Sequence, residues 1–191
     1  MTIATRKTAL GLALAGGLLL ASRAAAADSV QLAGVGTVEY HLIHKFHKVV
    51  GASQALAVRG SVDAAGLKVM ARAQVGTFDS GNTNRDQHMM EAVEGEKYPW
   101  VVVRAALPAF ELPKTAGTSK ITVEAAVDLH GVVVNHPIDI AIATKDGAHF
   151  TASFTFSESL TAHKIERPSL LFVAVDDLIT IVGKADLVAK R

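Results

Sequence analysis

From Val38 onward, apolar and polar side chains alternate in short runs. Leu67, Val69, Ala71, Ala73 and Val75 alternate with Lys68, Met70, Arg72 and Gln74, and Ile121, Val123, Ala125, Val127 and Leu129 alternate with Thr122, Glu124, Ala126 and Asp128. A period of two with polar partners marks a β-strand that buries one face. The same phase covers Val38, Tyr40, Leu42, His44 and Phe46, and later Phe150, Ala152, Phe154 and Phe156 opposite Thr151, Ser153 and Thr155. Further strands are expected near residues 55–62, 98–107, 138–144 and 177–187, which makes about eight. Turn-forming residues separate them at 63–66, 112–117, 130–137 and 145–147. Connections this short favour antiparallel neighbours, and a meander of half-buried strands removes its edges by closing. The expected fold is all-β, an eight-stranded antiparallel up-and-down barrel with one or two short helices.

One stretch breaks the alternation. Residues 78–99, FDSGNTNRDQHMMEAVEGEKYP, carry a dense set of polar groups. Met89, Met90 and Val93 sit at roughly helical spacing, Thr83 or Asn84 can cap the start, and Gly95 can end the helix. Arg85 can fork onto a phosphate or carboxylate, and His88 and His44 can donate when protonated. Asp86 would repel an anionic head group, so it is expected to orient Arg85 or His88, or to complement the helix dipole. Residues 79–84 read as a turn and cap cluster, and Met89 and Met90 as core or tunnel lining.

Compartment and charge narrow the function. Arg6 and Lys7, an apolar run over 8–21, and Ala25-Ala26-Ala27 read as a cleaved signal peptide spanning residues 1–27, leaving 164 residues (28–191) as one exported domain. Removing Arg6, Lys7 and Arg23 turns 19 basic residues into 16 against 18 acidic ones, a net charge of about −2 that argues against nucleic acid. The mature chain is expected to carry no transmembrane segment, and its oligomeric state is compatible with a homodimer. With no cysteine, disulfides, thiolate metal sites and a cysteine nucleophile are excluded.

A barrel of about eight strands either fills its interior or holds one small ligand. The inward positions mix Phe150, Phe154 and Phe156 with Ala71, Ala73, Ala125 and Ala152, so both a void and a packed core are compatible with the pattern. The spacing of His41, His44 and His47 raises a metal site, but on a straight strand His41 and His47 lie about 20 Å apart with His44 on the opposite face. A cross-strand site from His44, His88, His130 or His136 is the remaining metal reading, although His130 and His136, flanking a turn, read as solvated loop residues. No nucleophile elbow, metalloprotease helix or phosphate loop is present, so no enzymatic activity and no cofactor are expected. Glu166 and Arg167 read as a surface ion pair.

Taken in order, His44 and Gly51, then FDSGNTNRDQHM leading to Tyr98-Pro99, then VDLHGVVVNHPIDI, then IERPSLLFVAVDDLITI resemble the YceI-like family of lipocalin-like, polyisoprenoid-binding proteins. Arg85, Asp86, His88 and Met89 match its Arg-Asp-x-His-(Leu/Met) motif, and Leu129, Gly131, Val132 and Pro137 its second pattern. The chain departs from the family in its three histidines on the first strand, in Ala52 or Ser53 after Gly51, and at Arg167-Pro168-Ser169. The resemblance implies an eight-stranded barrel whose apolar tunnel takes a long-chain isoprenoid or other lipid amphiphile, and export to the periplasm or exterior. The expected ligand contacts are His44, Phe46, Arg85, Asp86, His88, Met89, Phe154 and Phe156. The rival readings are an accessory or stress-related barrel without resident ligand, and a histidine-based metal binder.

Overall fold

The computed structural model describes residues 29–44, 47–170 and 173–190, without the side chains of His44, Leu170 and Val173. The expected signal peptide and Phe46 lie outside the described residues.

In chain order the strands are β1 (Val30–His44), β2 (His47–Asp63), β3 (Gly66–Gln74), β4 (Trp100–Pro108), β5 (Gly117–Leu129), β6 (Val132–Thr144), β7 (His149–Ser159), two short strands β8 (Ser169–Leu170) and β9 (Val173–Ala174), and β10 (Leu178–Lys190). β8 and β9 form a separate ribbon, and the other eight close into an antiparallel up-and-down barrel, with β10 returning to pair with β1. The expected architecture is found. One end carries the β1–β2 and β5–β6 turns, the segment between β3 and β4, and the segment between β7 and β10. It is called the helix end below, because α1 (Thr83–Ala92) lies there.

The differences from the expected elements have local causes. β1 begins at Val30, well before the alternation at Val38, because Gly34 and Gly36 carry no hydropathy signal. A Cβ on either would stand 2.0 Å from the carbonyl oxygen of Asp186 or Lys184, so glycine is what lets β1 lie against β10 here. On β2 the register steps from Gly36↔Leu56 to Val38↔Ser53, which inserts one extra residue as a bulge and switches the inward phase. Leu56 and Val58 point inward on one side of it, Ser53 and Gly51 on the other. Ser53 is fully buried, and its Oγ accepts from the Ala55 N–H at 3.1 Å and meets Thr77 Oγ1 at 2.6 Å. The bulge thereby holds the single turn of 3-10 helix at Val75–Thr77 that leads towards α1.

Three turn expectations are corrected. The β5–β6 turn does not extend to Pro137; it is only His130 and Gly131, with φ of 56° and 70°, and β6 resumes at Val132. α1 is capped by Asn82 rather than Thr83 or Asn84: Asn82 is extended and its side chain accepts the Arg85 N–H at 3.1 Å. His44 pairs with His47 across the β1–β2 hairpin, so the chain reverses between them and the straight-strand geometry for His41, His44 and His47 does not apply.

Gly51 lies across from Tyr40, and a Cβ there would meet the Tyr40 ring at 2.4 Å. Replacing Gly51 with valine is expected to destabilise the fold by about 1–3 kcal/mol through overpacking. Chemical denaturation measures the loss, and near-ultraviolet circular dichroism should report a displaced tyrosine.

Candidate ligand tunnel and its buried carboxylate

Because every barrel strand turns alternate residues inward, the inward set meets along one axis. There it encloses an apolar tunnel of about 240 Å³. Phe150, Phe154 and Phe156 line it together with Ala71, Ala73, Ala125 and Ala152, so the small residues leave space between the rings. This decides between the packed and open readings of the barrel in favour of an open one. The far end is closed by Leu32, Val62 and Leu67, with Phe110 and Leu112 folded in from the β4–β5 connection. At the helix end Tyr40, Leu129, Leu160, Ile165 and Ile179 pack with Phe78, Met89 and Val93. Of the expected contacts, Met89, Phe154 and Phe156 line the tunnel.

Arg85, Asp86 and His88 stand at the same end but outside that lining. Arg85 Nε donates to Ser80 Oγ at 2.8 Å and its Nη2 to the Ser80 carbonyl at 2.5 Å. Asp86 Oδ1 accepts the Ser80 N–H at 3.0 Å and the Ser80 hydroxyl at 2.5 Å. Both charged groups therefore converge on one loop residue and fix residues 79–82 at the start of α1. Burial pushes the Tyr40 phenol up, with Asp86 adding to the rise and Arg85 opposing it, so the pair is felt at the tunnel wall through Tyr40. His88 is exposed on α1. His44 is placed only by its backbone, at the end of β1.

The other histidines are engaged elsewhere. His41 Nε2 meets Glu39 at 2.7 Å. His130 and His136 are not solvated loop residues, their side chains being only 12% and 22% exposed. His130 contacts Glu94 at 3.1 Å and the His163 carbonyl at 3.0 Å, and Tyr98 stacks edge-on against its ring at 4.9 Å. Arg167 donates to the Val175 carbonyl at 3.3 Å instead of pairing with Glu166. Among the described residues, no three His, Asp or Glu side chains are arranged to hold a metal ion.

The residue that sequence reasoning missed is Glu158. It is 4% exposed and lines the tunnel at the helix end, where it pairs across the sheet with Ile179. His136 Nε2 lies 2.8 Å from Oε2. His163, fully buried, brings Nε2 to 3.1 Å from Oε1, close enough for an ion pair but not aligned as a hydrogen bond, while its Nδ1 bonds the Val132 carbonyl at 2.9 Å. Burial alone would raise the Glu158 carboxyl, but the two imidazoles outweigh it and hold the group below its ordinary value. Burial likewise opposes charge on His163, yet Glu158 and the neighbouring carbonyls lift its pKa above the ordinary value. A signal existed: Phe150, Ala152, Phe154 and Phe156 share an inward phase, and its next member is Glu158.

This cluster fills a seam. The β6–β7 ladder runs only over Ile140–Thr144 against Phe150–Phe154, so nearer the helix end the two strands part. His136 packs on the Phe156 ring at 5.3 Å there, and Pro137, which lacks an N–H, pairs with Glu124 of β5 but has no ladder partner on the β7 side.

A closed antiparallel barrel around one apolar tunnel is the lipocalin-like architecture. The model of the YceI-like domain matches residues 27–186, and the chain belongs to that family. Comparison with curated proteins returned no match. Among solved structures, the barrel is similar to a polyisoprenoid binding domain from Saccharophagus degradans implicated in plant cell wall breakdown, at 11% identity, covering 84% of this chain and 98% of that one with a TM-score of 0.69. Burkholderia cenocepacia BcnA matches at 15% identity over 79% of this chain and 95% of its own, with a TM-score of 0.65. Campylobacter jejuni YceI protein matches at 15% over 78% and 89%, with a TM-score of 0.58. At these identities the likeness is one of fold.

Glu158 and His163 set opposite limits on stability. The raised His163 pKa contributes stability that is full below pH 6.5 and lost as pH rises through the folded value; the lowered Glu158 pKa contributes above pH 4.5 and is lost as pH falls. Stability from the pair is therefore greatest between those values. Glu158→Gln is expected to cost about 3 kcal/mol at pH 6, as for one partner removed from a buried pair, and to abolish the decline as pH rises above 6.5. Urea titration of both proteins across pH checks this.

Proposed function

We propose that this protein is a lipid-binding barrel that holds one long isoprenoid or other amphiphilic chain in its tunnel, with the polar head at the helix end beside Arg85, Asp86, His88 and His44. The observation that carries the reading is the apolar tunnel of about 240 Å³ running between the two ends. Ligand pockets typically measure about 300–1,000 Å³, so the space suits a single slender chain rather than a two-chain lipid. Each methylene moved from water into such a lining gains about 0.8 kcal/mol, and ten give about 8 kcal/mol gross without any polar contact, near micromolar affinity before ordering costs. Membership of the YceI-like family and the likeness to a polyisoprenoid binding domain support the same reading. Met89, Phe154 and Phe156 are the proposed chain contacts. Binding rather than turnover is the role proposed for the site, and the leader-like start supports export to the periplasm or exterior. Among the described residues, no helix is long and apolar enough to cross a membrane, which leaves the barrel itself unaddressed.

Organic extraction of the purified protein followed by mass spectrometry tests the proposal. One long-chain amphiphile per protein is the expected result. An empty extract together with failure to take up an added fluorescent long-chain probe would favour the accessory barrel without resident ligand. Ala125 lines the tunnel and is 1% exposed. Ala125→Phe is expected to fill the void, weakening probe binding at least about tenfold at an overpacking cost of about 1–3 kcal/mol in stability. Fluorescence titration and thermal unfolding read the two effects separately.

A further inference from the structure

On the outside of the barrel near the helix end, the outward phases of β2 to β6 bring basic and large apolar side chains together. Arg72, Val102, Asp128 and Val133 are direct partners across β3 to β6, and Arg59, Met70 and Arg104 are partners across β2 to β4 in the next row. Trp100 stands one pleat nearer the helix end and is 41% exposed, with the Arg72 guanidinium 4.8 Å from its ring centre. Val133 is 54% exposed. Arg72 lies diagonal to both Arg59 and Arg104, about 7–8 Å from each, so three like charges surround Met70. Asp128, 3.6 Å from Arg104, is the acid in these rows, and Glu124 follows one pleat farther along β5. Among the described residues, Arg59 and Arg72 form no ion pair with a carboxylate. Residues 28–191 hold 16 basic and 18 acidic groups, so this face reverses the sign of the whole. We propose that it docks the protein on an anionic lipid bilayer, with Trp100 seated among the head groups and the three arginines on lipid phosphates. Docking goes beyond the tunnel's contents and does not depend on them.

The occupant follows from the two chemistries that share the face. A tryptophan ring is apolar with a single N–H donor, which suits it to the boundary between hydrocarbon and water. A guanidinium forks onto phosphate, and lying over the indole leaves the N–H edges of Arg72 open to an anion. An acidic protein segment would answer the arginines but leave Trp100 and Val133 unmatched. A bilayer surface answers both. Breadth agrees with this: neighbouring strands lie about 4.8 Å apart, so β2 and β6 are about 19 Å apart across the face, room for several head groups rather than one small anion. Trp100 follows directly on the segment after α1, so the docked face adjoins the capped end of the tunnel.

Trp100 is the sole tryptophan of the chain, so its emission reports on the face directly. Residues 28–191, which hold every strand of the barrel, are mixed with vesicles of equal parts phosphatidylcholine and phosphatidylglycerol, or of phosphatidylcholine alone. Cosedimentation with the anionic vesicles is expected, with a blue-shifted emission, quenching by lipids brominated along the acyl chain, release at high salt, and at least about tenfold weaker binding to the neutral vesicles. Each arginine at an anionic surface accounts for about fivefold in partitioning, so Arg59→Gln with Arg104→Gln is expected to weaken binding at least about tenfold. Lys120→Gln with Lys184→Gln makes the same charge change on β5 and β10 outside these rows and is expected to leave binding within about threefold. No binding to either vesicle, equal binding to both, an unshifted Trp100 emission in bound protein, or equal losses in the two double variants overturns the inference. Binding to polyglutamate without binding to vesicles overturns it in favour of an acidic protein partner. The wild-type vesicle comparison decides even if a variant folds poorly, and every one of these outcomes leaves chain binding in the tunnel standing.

Discussion

Closure of the sheet is the constraint on which the rest of this molecule depends. Once β10 pairs with β1, the backbone of the wall is bonded within the wall, and alternate side chains from eight strands point at a single axis. Strand number sets the diameter, so the inward residues decide whether the centre is solid. Here alanines on β3, β5 and β7 stand among phenylalanines, and their short side chains do not reach across. The tunnel is a consequence of size distribution along the inward phases, with no specialised element needed to create it.

The alternation made most of this legible in advance. Eight strands, their antiparallel order and the helix around Met89 follow from period, turn residues and spacing. What escaped was whatever interrupts a period. Gly34 and Gly36 hid the first half of β1 because close backbone approach leaves no apolar mark. The bulge beside Ser53 reversed the phase of β2, so a strand of 17 residues was readable only on one side of it. Pro137 looked like a turn, since proline is normally excluded from a paired strand, and only the missing ladder to β7 explains it. Glu158 was on the right phase, but a charge inside an apolar stripe reads as the end of the stripe. His163 belongs to no periodic element and had no sequence signal.

The patches that carry the family resemblance turn out to be neighbours. Tyr98 packs over Gly131 and against His130, joining the residues after α1 to the β5–β6 turn, while Arg85 and Asp86 bind the loop that precedes α1. They run from Ser80 to Gly131 in sequence and are gathered at one end in space. Their visible work is to hold the cap of the tunnel in place, which accounts for polar residues in a motif that does not itself line the cavity.

The barrel is stitched unevenly. β4 and β5 are paired only over Val102–Ala105, and β6 and β7 only over Ile140–Thr144, so two stretches of wall at opposite ends are closed by side chains alone. Phe110 and Leu112 fill one, an apolar plug. His136, Phe156, Glu158 and His163 fill the other. Parting either seam breaks no ladder hydrogen bonds, so local opening there costs far less than unzipping a fully paired wall. The proposed chain ligand therefore need not thread lengthwise through either capped end. Sideways entry, as through a slit sleeve, is the alternative, and at the polar seam it is the contacts of Glu158 with His136 and His163 that hold the slit shut.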